Sequence, residues 1–162
     1  MTIEIRPLLE YHRPDLERLI RGFDSPARYR VTWEDSPVQT RFQAVYEALD
    51  APLHKDWNLQ EEDYERYREL IGLGHSLGAY LDGEFAAISI NEPAQWNRSF
   101  WLWEFHVAPE QQRQGIGRAL MEANAQKARA LGMRIMVLET VNTNTKAVAF
   151  YRSLGFALEG IE

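Results

Sequence analysis

The sequence contains no cysteine. That excludes disulfides, thiolate metal sites and a cysteine nucleophile. No run of apolar residues is long enough to span a bilayer, so no membrane partner is expected. The start, Met1-Thr2-Ile3-Glu4-Ile5-Arg6, lacks the basic and apolar regions of a signal peptide, and a cytoplasmic location is expected. Histidine is scarce: His12, His54, His75 and His106 stand far apart in sequence, without metal-ligand spacing, so no metal is expected. Positive charge is also short. The formal net charge is −6, which argues against a nucleic-acid partner and suits a cationic acceptor. Two phosphate signatures are missing as well. There is no Gly-Lys-Ser/Thr, and the third glycine of a dinucleotide fingerprint is replaced by Leu120.

What is present is a globular composition, 45% hydrophobic and 12% aromatic over 162 residues, read as a single domain over 1–162. Alternation at Ile3 and Ile5 predicts a strand over 3–7. Leu16, Leu19, Ile20 and Phe23 predict a helix over 12–23. Residues 24–37 read as irregular, punctuated by Ser25-Pro26 and Ser36-Pro37. Phe42, Val45, Tyr46 and Leu49 stand at helical spacing and predict a second helix, ended by Ala51-Pro52. A third helix is expected over 61–72, behind Glu61-Glu62-Asp63. The acidic and aromatic residues between Asp24 and Tyr67 fit either core aromatics under a charged face or the lining of a cation pocket.

Asp82-Gly83 between two apolar runs predicts a hairpin of strands over 76–81 and 84–91. A polar loop follows over 91–97, then an aromatic strand over 100–107. The apolar run 133–139 reads as a buried strand parallel to 100–107. Asn144 caps a last helix through Ala147, Phe150, Tyr151 and Leu154, and a strand is expected to begin at 156–159.

The stretch that organises the chain is Val107-Ala108-Pro109-Glu110-Gln111-Gln112-Arg113-Gln114-Gly115-Ile116-Gly117-Arg118-Ala119-Leu120. It leaves the aromatic strand, stops at a proline and enters an amphipathic helix over 115–131. The first turn of that helix offers unpaired N–H groups and a positive dipole end. Gly115 and Gly117 remove the Cβ atoms that would hold a phosphate away, and Arg113 and Arg118 add charge. On the strand, the two-residue period puts Glu104 and His106 on one side, opposite Trp103 and Phe105.

Gln112 to Gly117, Gln-x-x-Gly-x-Gly directly after a strand, resembles the acyl-CoA loop of the GNAT N-acetyltransferase superfamily. Asn144-Thr145-Lys146-Ala147-Val148-Ala149-Phe150-Tyr151 followed by Gly155-Phe156 resembles that superfamily's C-terminal motif, at the family's spacing. Leu138-Glu139-Thr140 ahead of it is most similar to streptothricin-type and related small-molecule acetyltransferases. The resemblance covers residues 100–156 closely.

It implies an α/β fold of α+β type: a mixed central sheet, splayed between its fourth and fifth strands, with helices on both faces. It implies acetyl-CoA as acyl donor. The pantetheine arm would lie against Phe105, His106 and Val107. The pyrophosphate would sit on Gln112, Arg113, Gln114, Gly115, Ile116, Gly117 and Arg118. Asn144, Ala147 and Tyr151 would contact the cofactor from the last helix. Tyr151 would protonate the departing thiolate. The acceptor, a small-molecule or protein amine, needs a base. Glu104 is the candidate, directly or through water, with His106 second. The family adds a strand after the Gly-Phe strand, but the chain stops at Gly160-Ile161-Glu162. The expectation is a sheet without its final strand and an edge open to a homodimer partner. The alternative is a non-catalytic acyl-CoA-binding or sensing module on the same fold. A nucleotide-binding α/β domain is a third reading, disfavoured by the missing glycine.

Overall fold

The computed structural model describes residues 1–161. They form two compact units: Met1–Arg21 with Trp57–Glu139, and Gly22–Asp56 with the chain from Thr140.

The first unit is a five-stranded sheet with helices on both faces. Its strands are β1 (Ile3–Pro7), β4 (Leu77–Leu81), β5 (Glu84–Ala94), β6 (Ser99–Val107) and β7 (Ile135–Leu138), in that spatial order. All neighbours are antiparallel except β6 and β7, which run parallel. The β4–β5 turn places both Asp82 (φ 49°) and Gly83 (φ 89°) at positive φ, the geometry of the tight hairpin that Asp-Gly predicts. The strands run longer than expected on one side. The anticipated polar loop over 91–97 is largely strand, because β5 continues through Ala94 and Pro93 pairs with Phe100.

Helices α1 (Arg13–Leu19) and α2 (Glu61–Gly72) cover one face; α3 (Ile116–Ala130) covers the other. The first helix is shorter than the expected 12–23, since the chain enters a strand at Gly22. On α2, Tyr64, Tyr67, Leu70 and Ile71 recur at helical spacing and join Leu16, Leu19, Ile88 and Ile90 in one core cluster. Ile116 and Leu120 of α3 pack with Ala79, Leu81 and Ala87 in the other. A wholly buried polar network locks α3 to β5. Asn91 Nδ2 donates to Asn124 Oδ1 (2.7 Å), and Asn124 Nδ2 donates to Ser89 Oγ (3.0 Å). Left unpaired, such groups would be costly, so their pairing fixes the helix's rotation and height on the sheet. Gly132 (φ 70°) closes α3, with Met133 N–H on the Ala128 carbonyl.

The second unit corrects two sequence expectations. Residues 24–37 are not irregular and 42–49 are not helical. They form β2 (Gly22–Ser36) and β3 (Gln39–Asp56), one long antiparallel hairpin. The apolar spacing of 42–49 fitted a helix, but the run is rich in β-branched and aromatic residues that pair across strands: Trp33 with Phe42, Tyr29 with Tyr46. Pro26 and Pro52 do not end elements. They fall where the register shifts, between Ser25 and Ala27 on β2, and there a missing N–H costs no ladder bond. Near the base, His54 Nδ1 lies 2.6 Å from Asp24 Oδ1 and Nε2 lies 3.0 Å from Asp56 Oδ1. Those two carboxylates raise the imidazole's pKa.

Helix α4 (Thr145–Ser153) packs on β2, and the Thr145 hydroxyl pairs with Ser25 (2.8 Å). The strand expected at 156–159 is absent among the described residues; the chain there is irregular. Glu162 lies outside the described residues.

Candidate functional site

The sheet opens where the loop begins. Strand β7 accompanies β6 only from Ser99 to Leu102. Along residues 103–107 that edge of β6 has no strand partner among the described residues. An extended ligand with amide groups can continue the ladder there. Phe105, His106 and Val107 line the open stretch, each half-buried.

At the end of β6 a single 3₁₀ turn (Pro109–Gln111) lifts the chain off the sheet. Gln112 Nε2 then donates back to the Val107 carbonyl (3.2 Å), tying the loop to the strand. Arg113 (φ 63°) and Gly115 (φ 83°) both adopt left-handed backbone, and Gly115 is the N-cap of α3. Among the described residues no protein group accepts from the backbone N–H groups of 113–118. Six donors thus stand together at the positive end of a 15-residue helix. The Arg113 and Arg118 side chains are exposed and form no ion pair among the described residues. Gln114 and Gly117 are half-buried, while Ile116 turns inward and anchors the helix start in the core. The cradle has the donors, charge and access that a phosphate needs.

A bulge alters the face read from the sequence. Ile90 pairs with Glu104 but Asn91 pairs with Leu102, so Trp103 is an extra residue on β6. Trp103 packs into the cluster under α1 and α2, whereas Phe105 and Val107 pack into the cluster under α3. Glu104 meets Tyr67 of α2 and so shares a face with Trp103, not the opposite one. Tyr67 Oη donates to Glu104 Oε1 at 2.6 Å, and Glu104 Oε2 lies 2.6 Å from His106 Nε2. Burial, reinforced by the neighbouring Glu104 charge, pushes the Tyr67 phenol far above its ordinary pKa. It therefore remains a donor at any working pH. Beside it, Trp103 Nε1 donates to Glu92 Oε2 (2.8 Å), and the Arg66 guanidinium lies over the Trp103 ring at 4.1 Å. The sequence left Tyr67 open as either a core aromatic or part of a cation-pocket lining, and nothing local signals its partner 37 positions away.

Asn144, Ala147 and Tyr151 belong to the second unit. Asn144 Oδ1 accepts from the Ala147 N–H (3.2 Å), so the residue caps α4 and keeps its amide N–H groups for other acceptors. Tyr151 is half-buried, with its ring edge-on to Phe156 at 5.9 Å. The Phe156 N–H returns to the Tyr151 carbonyl, and Gly155 (φ 92°) makes that turn. No helix of the described residues is long and apolar enough to cross a membrane, and no cluster of metal-ligating side chains occurs among them.

The Acetyltransferase (GNAT) family model matches residues 42–156. Streptothricin acetyltransferase of Streptomyces lavendulae is 36% identical over 81 residues, 50% of this chain and 43% of that protein. The ribosomal-protein bS18 alanine N-acetyltransferase of Escherichia coli K12 is 36% identical over 75 residues, covering 46% and 49%. The matches thus span about half the length of these relatives. Among solved structures, a nourseothricin acetyltransferase superposes with a TM-score of 0.76 at 27% identity, over 100% of this chain and 87% of that one. A Bacillus anthracis structure described as a streptothricin acetyltransferase in complex with acetyl coenzyme A shares the fold, with a TM-score of 0.74 at 23% identity over 98% and 86%. The cradle, the open stretch of β6 and these matches lead to one conclusion: the chain belongs to the acetyltransferase (GNAT) family.

Proposed function

We propose that the protein transfers the acetyl group of acetyl-CoA directly to a primary amine, of a small molecule or of a protein, within a ternary complex. The observation that carries this reading is the continuity of the open β6 edge with the N–H cradle at 112–118. An amide-bearing arm and a pyrophosphate need those two features in that order. Asn144 and Ala147 would hold the donor, with Arg113 and Arg118 neutralising its phosphates. Acetyl-CoA supplies an activated thioester carbonyl. The acceptor arrives as an ammonium ion and must lose a proton before it attacks. The Glu104–His106 pair receives that proton. As the C–N bond forms and the C–S bond breaks, the Tyr151 hydroxyl protonates the departing sulfur. With no cysteine in the chain, no acyl-cysteine intermediate intervenes.

The test is thiol release from acetyl-CoA over a panel of primary amines, with the product identified by mass. Amine-dependent release with intersecting initial-velocity lines is expected. Parallel lines would reveal an acyl-enzyme and contradict direct transfer.

A further inference from the structure

Resting on that reading, we infer that Tyr67, Glu104 and His106 act as one unit, in which His106 Nδ1 takes the acceptor's proton and the other two residues position it. Both oxygens of Glu104 are engaged, Oε1 by the Tyr67 hydroxyl and Oε2 by His106 Nε2, each at 2.6 Å. Each oxygen of that carboxylate keeps a second lone pair, but the two partners fix its rotation, so it is held to orient His106. His106 is the reverse case. Its Nε2 side meets an anion, which selects the tautomer with hydrogen on Nε2 and the lone pair on Nδ1. Among the described residues Nδ1 has no protein partner.

The three groups come from different parts of the fold. Glu104 and His106 occupy alternate positions on the open stretch of β6 beyond the bulge. Tyr67 sits on α2, buried at 5% exposure, and reaches Glu104 across the core face. Charged groups on this side also include Asp63 and Arg66 of α2, Glu92 of β5, Glu17 of α1, which accepts from Tyr64, and the Arg13–Glu61 pair. Arg66 is held over Trp103, and Glu92 accepts from the Trp103 indole. The buried phenol stays neutral and always donates, so Glu104 keeps its orientation whether the imidazole is charged or not.

The step balances without a further reagent. The ammonium N–H bond breaks, its proton goes to Nδ1, and the ring becomes an imidazolium facing the Glu104 carboxylate. The freed nitrogen lone pair forms the C–N bond as the C–S bond breaks and Tyr151 gives its proton to the sulfur. The second proton, shed as the nitrogen becomes an amide, returns through solvent to the Tyr151 phenolate. After product leaves, the Nδ1 proton passes to solvent. The bulge at Trp103 serves this arrangement. Without it Glu104 and His106 would face α3, out of reach of Tyr67.

Two readouts test the unit. Long-range proton–nitrogen spectra of ¹⁵N-labelled protein are expected to show His106 as the Nε2–H tautomer. An Nδ1–H tautomer overturns the assignment. In amine acetylation, His106→Ala should lose about 10²–10⁴-fold in kcat, lose the acid limb of the pH–rate profile, and recover in part with added imidazole. Glu104→Gln and Tyr67→Phe should lower kcat, the second by less, and both should retain that limb. A limb that survives in His106→Ala and vanishes in Glu104→Gln makes the carboxylate the base and overturns the inference. A parent protein that acetylates no amine fails differently, at the proposed function itself.

Discussion

Replacing Tyr151 by phenylalanine is expected to lower kcat by about 10²–10⁴-fold, the span a positioned acid contributes, with little change in KM for acetyl-CoA. The variant keeps the aromatic ring and its packing on Phe156, and removes only the hydroxyl. A thiolate leaving group carries full charge late in the reaction, and a phenol nearby can supply its proton. The measurement is thiol release under saturating amine and donor, with acetyl-CoA binding followed separately. A loss of only a few-fold, with binding intact, would remove Tyr151 from proton transfer.

Gly115→Val is expected to weaken acetyl-CoA binding by at least about tenfold, or 1.4 kcal/mol. Gly115 holds φ 83° at the N-cap of α3. A side chain in left-handed backbone costs about 1–2 kcal/mol, more when branched at Cβ, so the loop would relax away from that conformation. The six N–H groups of 113–118 would then no longer point together. The predicted loss should appear for CoA as well as acetyl-CoA, because the acyl group plays no part in it. Unchanged affinity in a folded Gly115→Val protein would show that phosphate does not bind on this cradle.

The loop around Gly115 shows which local structure the sequence made legible. A glycine-rich loop between an aromatic strand and an amphipathic helix is local chemistry, and its strand, turn and cap all lie within about fifteen positions. The Asp82-Gly83 hairpin and the Asn144 cap were legible for the same reason. The long β2–β3 hairpin was not. Phe42, Val45, Tyr46 and Leu49 fit a 3.6-residue period, and only pairing with residues 29–33 across the turn shows a strand in which Phe42 and Tyr46 share one face and Val45 takes the other. The bulge at Trp103 was equally hidden. It changes the phase of β6 midway, so a strict two-residue alternation put Trp103 and Glu104 on opposite faces when they share one. The Tyr67–Glu104 contact followed from neither period, because tertiary packing alone brings α2 to that strand.

The measurement that bears most directly on the account is calorimetric titration of the protein with acetyl-CoA, with CoA and NAD as controls. The account predicts micromolar binding of acetyl-CoA and CoA and none of NAD, because the loop has the acyl-CoA pattern and lacks the third glycine of a dinucleotide site. Binding of NAD, or of neither CoA species, would contradict it.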